Sequence, residues 1–118
     1  MMEDFIIESR ILVRYTGKSK EVVVPKGITI IGNKAFAGQD ITKVIIPEGV
    51  TTIGEHAFYE CLNLTEVNLP ESARFIERRA FGYCKSLMTI SIPEGMLMID
   101  DEAFLGCGEL IKTDRKRY

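Results

Sequence analysis

The sequence has little of what metal and catalytic sites are usually built from. It contains no tryptophan, a single histidine, His56, and three evenly spaced cysteines, Cys61, Cys84 and Cys107. Metal sites usually draw on close cysteine pairs or on a second histidine. We therefore expect three free, buried thiols, no metal, no cofactor and no catalytic residue, so an enzyme is not predicted.

The sequence also lacks an excess of charge and a long apolar run. Its 17 acidic and 15 basic residues leave a net charge of −2, too weak a field to favour nucleic acid as a partner. No apolar run approaches the ~20 residues of a membrane-spanning helix, and Met1–Asp4 lacks the basic and apolar parts of a secretory signal. As written, the sequence predicts no membrane insertion and a cytoplasmic protein; a fragment of a longer protein could lie at the cell surface.

A short repeat dominates the sequence. The four prolines follow one another at spacings of 22, 23 and 23, and an isoleucine, an alanine and a phenylalanine column keep the same spacings. Their members are Pro25, Pro47, Pro70 and Pro93; Ile31, Ile53, Ile76 and Ile99; Ala35, Ala57, Ala80 and Ala103; Phe36, Phe58, Phe81 and Phe104. Self-similarity at a fixed period predicts stacked repeats.

Each unit has three parts. An apolar alternation such as Leu64–Leu69 predicts a strand, which the following proline ends because it cannot donate to a sheet ladder. An apolar pair such as Val50 and Ile53 predicts a second crossing of the core. The segment Gly54–Cys61 predicts one or two helical turns that direct Ala57 and Phe58 inward.

These parts predict an α/β repeat fold, a right-handed solenoid with about four units and a parallel sheet on one face. We expect a single domain over residues 1–118, with a hairpin cap and first strand in 1–24, repeats in 25–111 and a charged tail in 112–118. The phenylalanines of successive units are expected to stack. In the last unit the inward strand positions would be Thr113 and Arg115.

The unit resembles the BspA-like, or Treponema-type, leucine-rich repeat. The residues that carry this resemblance are Leu64–Pro70 and Pro47–Cys61, which contain the strand, Pro, Gly, Ile and Ala-Phe of the repeat in their fixed order. The resemblance implies a curved leucine-rich-repeat solenoid, as in bacterial surface proteins that bind host or matrix proteins. It supplies no catalytic residue, because the repeat motif contains none.

Repeat proteins bind partners on such sheet faces, so we predict a noncatalytic module that holds a protein partner on its concave strand face. The predicted binding residues are Thr65, Glu66, Asn68, Met88, Thr89 and Ser91, together with Phe75. Phe75 belongs to a column with Ile30, Thr52 and Met98 that is either an exposed stripe or a second inward row. The alternatives are a structural module that self-associates weakly through the solenoid ends and a surface-adhesin fragment.

Overall fold

The computed structural model describes residues 4–115, and in this range the regular structure is almost entirely β. The strands are β1 Phe5–Glu8, β2 Ile11–Tyr15, β3 Glu21–Val23, β4 Ile30–Ile31, β5 Lys43–Ile45, β6 Thr52–Ile53, β7 Glu66–Asn68, β8 Phe75–Ile76, β9 Thr89–Ile92, β10 Met98–Ile99 and β11 Ile111–Asp114. All of them are short, as the tight spacing of prolines and turns dictates.

The strands stack into two sides of a solenoid of about five coils. One side is a six-stranded sheet in the order β1-β2-β4-β6-β8-β10, and the other comprises the sheets β3-β5-β7 and β9-β11. Every pairing is parallel except that of β1 with β2, which form the predicted antiparallel hairpin about Ser9 and Arg10. The prediction of a parallel-sheet repeat is confirmed, with about five coils instead of four.

Like residues of successive coils stack to form the core. The rings of Phe36, Phe58, Phe81 and Phe104 are nearly parallel, with centroids 4.8, 5.1 and 5.4 Å apart. Tyr15 of the hairpin covers the free face of Phe36 at 5.4 Å. Phe36, Phe58 and Phe81 are fully buried, each worth about 1.5–3 kcal/mol of burial free energy.

The predicted helical turns are wrong, because residues 4–115 contain no α-helix. In the segment after Ile53, the N–H of Ala57 donates to the carbonyl of Gly54 at 3.2 Å, but the N–H of Phe58 donates to the carbonyl of Ala80 in the next coil at 2.7 Å. Tyr59 and Glu60 repeat this alternation. Every second N–H therefore joins neighbouring coils, whereas a helix would keep all of them within one coil.

The backbone dihedral angles also exclude a helix in these turn segments. Two positions in each of the inner turn segments are left-handed, with φ of 56° at His56 and 57° at Glu60. The equivalent residues with positive φ are Lys34 and Gly38 in the coil before, and Arg79 and Tyr83 in the coil after. An L-residue with positive φ interrupts a right-handed helix, so the α part of the predicted α/β class is replaced by turns.

The last strand departs from the repeat by a single position. Glu66 pairs with Lys43, at a chain separation of 23, but Ile111 pairs with Thr89, at a separation of only 22. A slip of one position exchanges the two faces of a strand. Thr113 therefore pairs with the outward Ser91 and is exposed, whereas an unshifted repeat would have placed it inward. The predicted charged tail begins within β11, and its residues 116–118 lie outside the described residues.

Candidate binding site

The strand face, defined as the outward side chains of β3, β5, β7, β9 and β11 and of the residue before each strand, holds six of the seven predicted binding residues. Thr65, Glu66 and Asn68 belong to β7 and the residue before it; Met88, Thr89 and Ser91 belong to β9 and the residue before it. All are exposed except Ser91, which is half-buried. The inward residues between them, Val67 and Ile90, are buried. The fold thus brings these six side chains together on adjacent strands.

Charged and exposed apolar side chains occur together on the strand face. On the N-terminal part, the Lys43 ammonium lies 3.6 Å from the carboxylate of Glu66, and the outward Val23 of β3 is 65% exposed. On the C-terminal part, the exposed side chains of Met88 and Ile111 belong to neighbouring coils, joined by the hydrogen bond from the N–H of Ile111 to the carbonyl of Met88. A partner that covers the whole face would meet both kinds of side chain.

Sequence reasoning missed the fifth strand of this face. Ile111 pairs with Thr89 and Thr113 with Ser91, so both extend the surface formed by the predicted residues. Ile111 is 63% exposed. The sequence signal was the apolar Leu110-Ile111 pair at the repeat spacing, but the charged residues that follow favoured a tail.

Arg115 ties the two sheets of the strand face together. No backbone hydrogen bond joins β7 to β9 among the described residues, so the face is split between them. The guanidinium of Arg115 donates to the carbonyl of Leu69 at 2.9 Å and to the Ser91 hydroxyl at 2.8 Å, and it forms an ion pair with Glu71 at 2.6 Å. Arg115, which was predicted to lie in a charged tail, therefore bridges the split beside the predicted site.

Phe75 lies away from the other predicted residues. It is in β8 of the six-stranded sheet. Its side chain belongs to an outward-facing column that also contains Ile11, Ile30, Thr52 and Met98. Phe75 is 36% exposed, while its neighbour in sequence, Ile76, is fully buried. The column faces outward on a different sheet from the strand face, and this stripe is exposed at Phe75 and Met98 and half-buried at Ile11, Ile30 and Thr52.

The three cysteines are buried and free, as predicted. Each thiol donates to the carbonyl of a stacked phenylalanine, Cys61 to Phe36 and Cys84 to Phe58, both at 3.1 Å. Cys107 makes the same contact with Phe81 at 3.0 Å. Burial raises the pKa of Cys61 to about 12 and also raises the pKa of Cys84 and Cys107. These thiols stay protonated near neutral pH, a state unsuited to nucleophilic attack or metal ligation.

Metal-holding clusters and membrane-spanning helices are both absent from the described residues. Residues 4–115 contain no group of three or more histidine, cysteine, aspartate or glutamate side chains placed to hold a metal ion. Within the same residues, no helix has the length and apolar character needed to cross a membrane.

Comparisons with known proteins connect this architecture to solved structures from bacteria. A leucine-rich repeat protein from Bacteroides capillosus shares 29% identity over 90% of this chain and 86% of its own, with a TM-score of 0.81. A leucine-rich cell surface protein from Faecalibacterium prausnitzii shares 31% identity with a TM-score of 0.77; 85% of this chain matches it, which is 27% of that chain. The T. pallidum leucine-rich repeat protein shares 28% identity over 92% of this chain and 67% of its own, with a TM-score of 0.74.

A sequence search of curated proteins finds no significant match. In contrast, the family model for the BspA type leucine-rich repeat region matches residues 7–115 in six copies. That range includes the hairpin from Ile7 onward, all five coils and the strand face. The chain therefore belongs to the BspA-type leucine-rich repeat family.

Proposed function

We propose that the protein is a noncatalytic binding module that holds a protein partner on its strand face. The observation that carries this proposal is the contrast between the two sides of the same strands. The inward residues Val44, Val67 and Ile90 are aliphatic in successive coils, whereas the outward residues beside them, Lys43, Glu66 and Thr89, change from coil to coil. Folding accounts for the inward uniformity, and the outward variety is available for recognition.

The character of the strand face supports a protein partner. It combines the Lys43–Glu66 ion pair, the hydroxyl and amide groups of Thr89 and Asn68, and the exposed apolar side chain of Met88. Protein interfaces commonly pair an apolar region with a polar rim. The strand face also has no aromatic row on which sugar rings would stack, since its outward positions on β3, β5, β7, β9 and β11 contain no aromatic residue.

Two charge-changing variants with matched controls test the proposal. Glu66→Lys and Met88→Glu alter the strand face, while Glu60→Lys and Leu62→Glu make the same kinds of change at exposed positions of a turn segment. We expect the first two to abolish capture of the partner that wild-type protein retains, and the controls to keep it. All four should keep the thermal midpoint within a few degrees, because exposed substitutions usually cost no more than ~0.5 kcal/mol.

The exposed stripe provides a separate test. Phe75→Glu changes the six-stranded sheet without touching the strand face, so partner capture should persist. Loss of the partner in this variant, with the strand-face variants still binding, would move the site to the stripe. Equal loss in Glu60→Lys and Glu66→Lys would place it on neither surface.

The cellular location is a separate proposal. The cytoplasmic location expected in the sequence analysis competes with a location at the cell surface, which the description of the F. prausnitzii relative as a cell surface protein supports. Brief protease treatment of intact cells distinguishes the two. Removal of the protein without lysis supports the surface, and protection until lysis supports the cytoplasm.

A further inference from the structure

The six-stranded sheet ends in two edge strands that lie at opposite ends of the solenoid. Among residues 4–115, β1 pairs with β2 alone and β10 pairs with β8 alone. An edge strand presents unpaired N–H and C=O groups that can accept another strand. Since β2, β4, β6, β8 and β10 are all parallel and β1 runs against them, a second copy placed in line along the axis would bring its β1 antiparallel to β10.

Apolar side chains at the two edges match each other in kind. On the outward side, Ile6 of β1 is 45% exposed and Met98 of β10 is 42% exposed. On the inward side, Ile7 of β1 and Ile99 of β10 are only partly buried. A strand pair β10–β1 would continue both the outward stripe and the inward column across the junction.

The last coil also leaves core residues uncovered. Met96, Ile99, Phe104 and Leu110 are partly buried, although the residues they repeat in the coil before, Ala73, Ile76, Phe81 and Leu87, are fully buried. Beside β10 lies a cleft of 520 Å³, which Met96, Met98 and Ile99 help to line. The end of the stack therefore offers apolar surface that a further layer of backbone would cover.

We propose that copies of this chain associate head to tail, with β10 of one molecule paired to β1 of the next. The contact uses different surfaces on the two molecules, so each added molecule leaves a new free edge, and growth stops only if the rotation between neighbours closes a ring. β10 is only two residues long, and small interfaces are weak. Association should therefore appear at high protein concentration. This contact leaves the strand face free, so it goes beyond the proposed binding function.

Light scattering across concentration tests the proposal. We expect the mass to rise above that of the 13.3 kDa chain as concentration increases. Ile6→Lys and Met98→Lys should each remain monomeric, because a lysine on an edge strand opposes pairing. Leu62→Lys, at an exposed apolar side chain of a turn away from both edges, is the matched control and should associate like wild type. Circular dichroism verifies folding, with Ile6→Thr and Met98→Thr as milder alternatives.

Mixing the two edge variants separates head-to-tail contact from every symmetric one. Ile6→Lys keeps a free β10 and Met98→Lys keeps a free β1, so an equimolar mixture should form dimers but nothing larger. A contact between two β1 edges would instead let Met98→Lys dimerise alone, and a contact between two β10 edges would let Ile6→Lys do so. Either result, or a wild type that stays monomeric at every concentration, would overturn the proposal.

Discussion

The third and fifth coils share the Pro, Ile, Ala, Phe and Cys positions of the repeat but have different surroundings. Phe58 stacks on a ring on each side, at 4.8 and 5.1 Å, whereas within residues 4–115 Phe104 has a ring on one side only. The backbone differs as well. The N–H of His56 donates to the carbonyl of Arg78 in the next coil, but the N–H of the equivalent Glu102 donates to the Asp100 carboxylate of its own coil. A coil of this fold is thus completed by its neighbour, as nearest-neighbour stability in repeat proteins requires.

Truncating the stacked phenylalanines should sharpen this comparison most strongly. We expect Phe58→Ala or Phe81→Ala to lower the free energy of unfolding by about 3–5 kcal/mol, since each leaves a cavity in a packed column. Phe36→Ala should cost as much, because Tyr15 covers that ring from the hairpin side. Phe104→Ala should cost clearly less. Urea unfolding measures all four, and an equal loss at Phe104 would contradict nearest-neighbour stacking.

The buried thiols predict a loss of stability at alkaline pH. Burial raises their pKa in the folded protein, to about 12 for Cys61, while the unfolded chain releases the same protons near pH ~8.5. Their contribution to the free energy of unfolding is therefore complete below that pH. It falls as the pH rises toward the folded pKa, by at most about 1.4 kcal/mol per pH unit for each thiol.

Urea unfolding at pH 8 and pH 10 measures this loss, with Cys84→Ala as the comparison because Cys84 lies in an inner coil. The variant should lose less stability between the two pH values than wild type. Identical losses would show that other groups cause the pH dependence.

Cys107 is in the fifth coil and should react with a thiol reagent before Cys61 and Cys84.

Removing Arg115 should separate the two halves of the strand face. Arg115→Ala deletes the hydrogen bonds to Leu69 and Ser91 and the ion pair with Glu71, and hydrogen bonds to charged groups contribute about 1.5–3 kcal/mol when well formed. Amide hydrogen exchange should accelerate in β9 and β11 and stay unchanged in β3 and β5. Uniform acceleration would mean that Arg115 stabilises the whole solenoid and not this junction.

The smallest expected effect concerns the ion pair on the strand face. Lys43 and Glu66 lie 3.6 Å apart with exposed side chains, and such pairs contribute about 0–1 kcal/mol. A double-mutant cycle with Lys43→Ala and Glu66→Ala should give a coupling in that range, which weakens with salt. A coupling well above it would show that this part of the face is less solvated than its exposure indicates.

Much of the fold could be predicted because stacking repeats the same physical demand in each coil. The Pro, Ile, Ala and Phe columns, the hairpin and the free thiols followed from period and composition. The turn segments could not, because Gly54–Cys61 has the apolar spacing of a helical turn. The hydrogen bond from Phe58 to Ala80 of the next coil decides against a helix, and no local pattern contains it.

The candidate site was likewise predicted only in part from the sequence. Alternation within β7 and β9 was sufficient to assign Glu66 and Thr89 to the outward side. The position of Phe75 on a separate sheet, and the addition of Ile111 to the strand face, depended on which coil lies against which.

The sequence by itself determined the repeat, its inward columns and the family, because those depend on the order of apolar residues along the chain. Only the tertiary structure decided the conformation of the turns, the register of β11 and the bridging role of Arg115. Each of these depends on hydrogen bonds between residues of different coils, such as that from Arg115 to Leu69. A backbone group takes the partner that stacking places within reach, and the local sequence does not specify that partner.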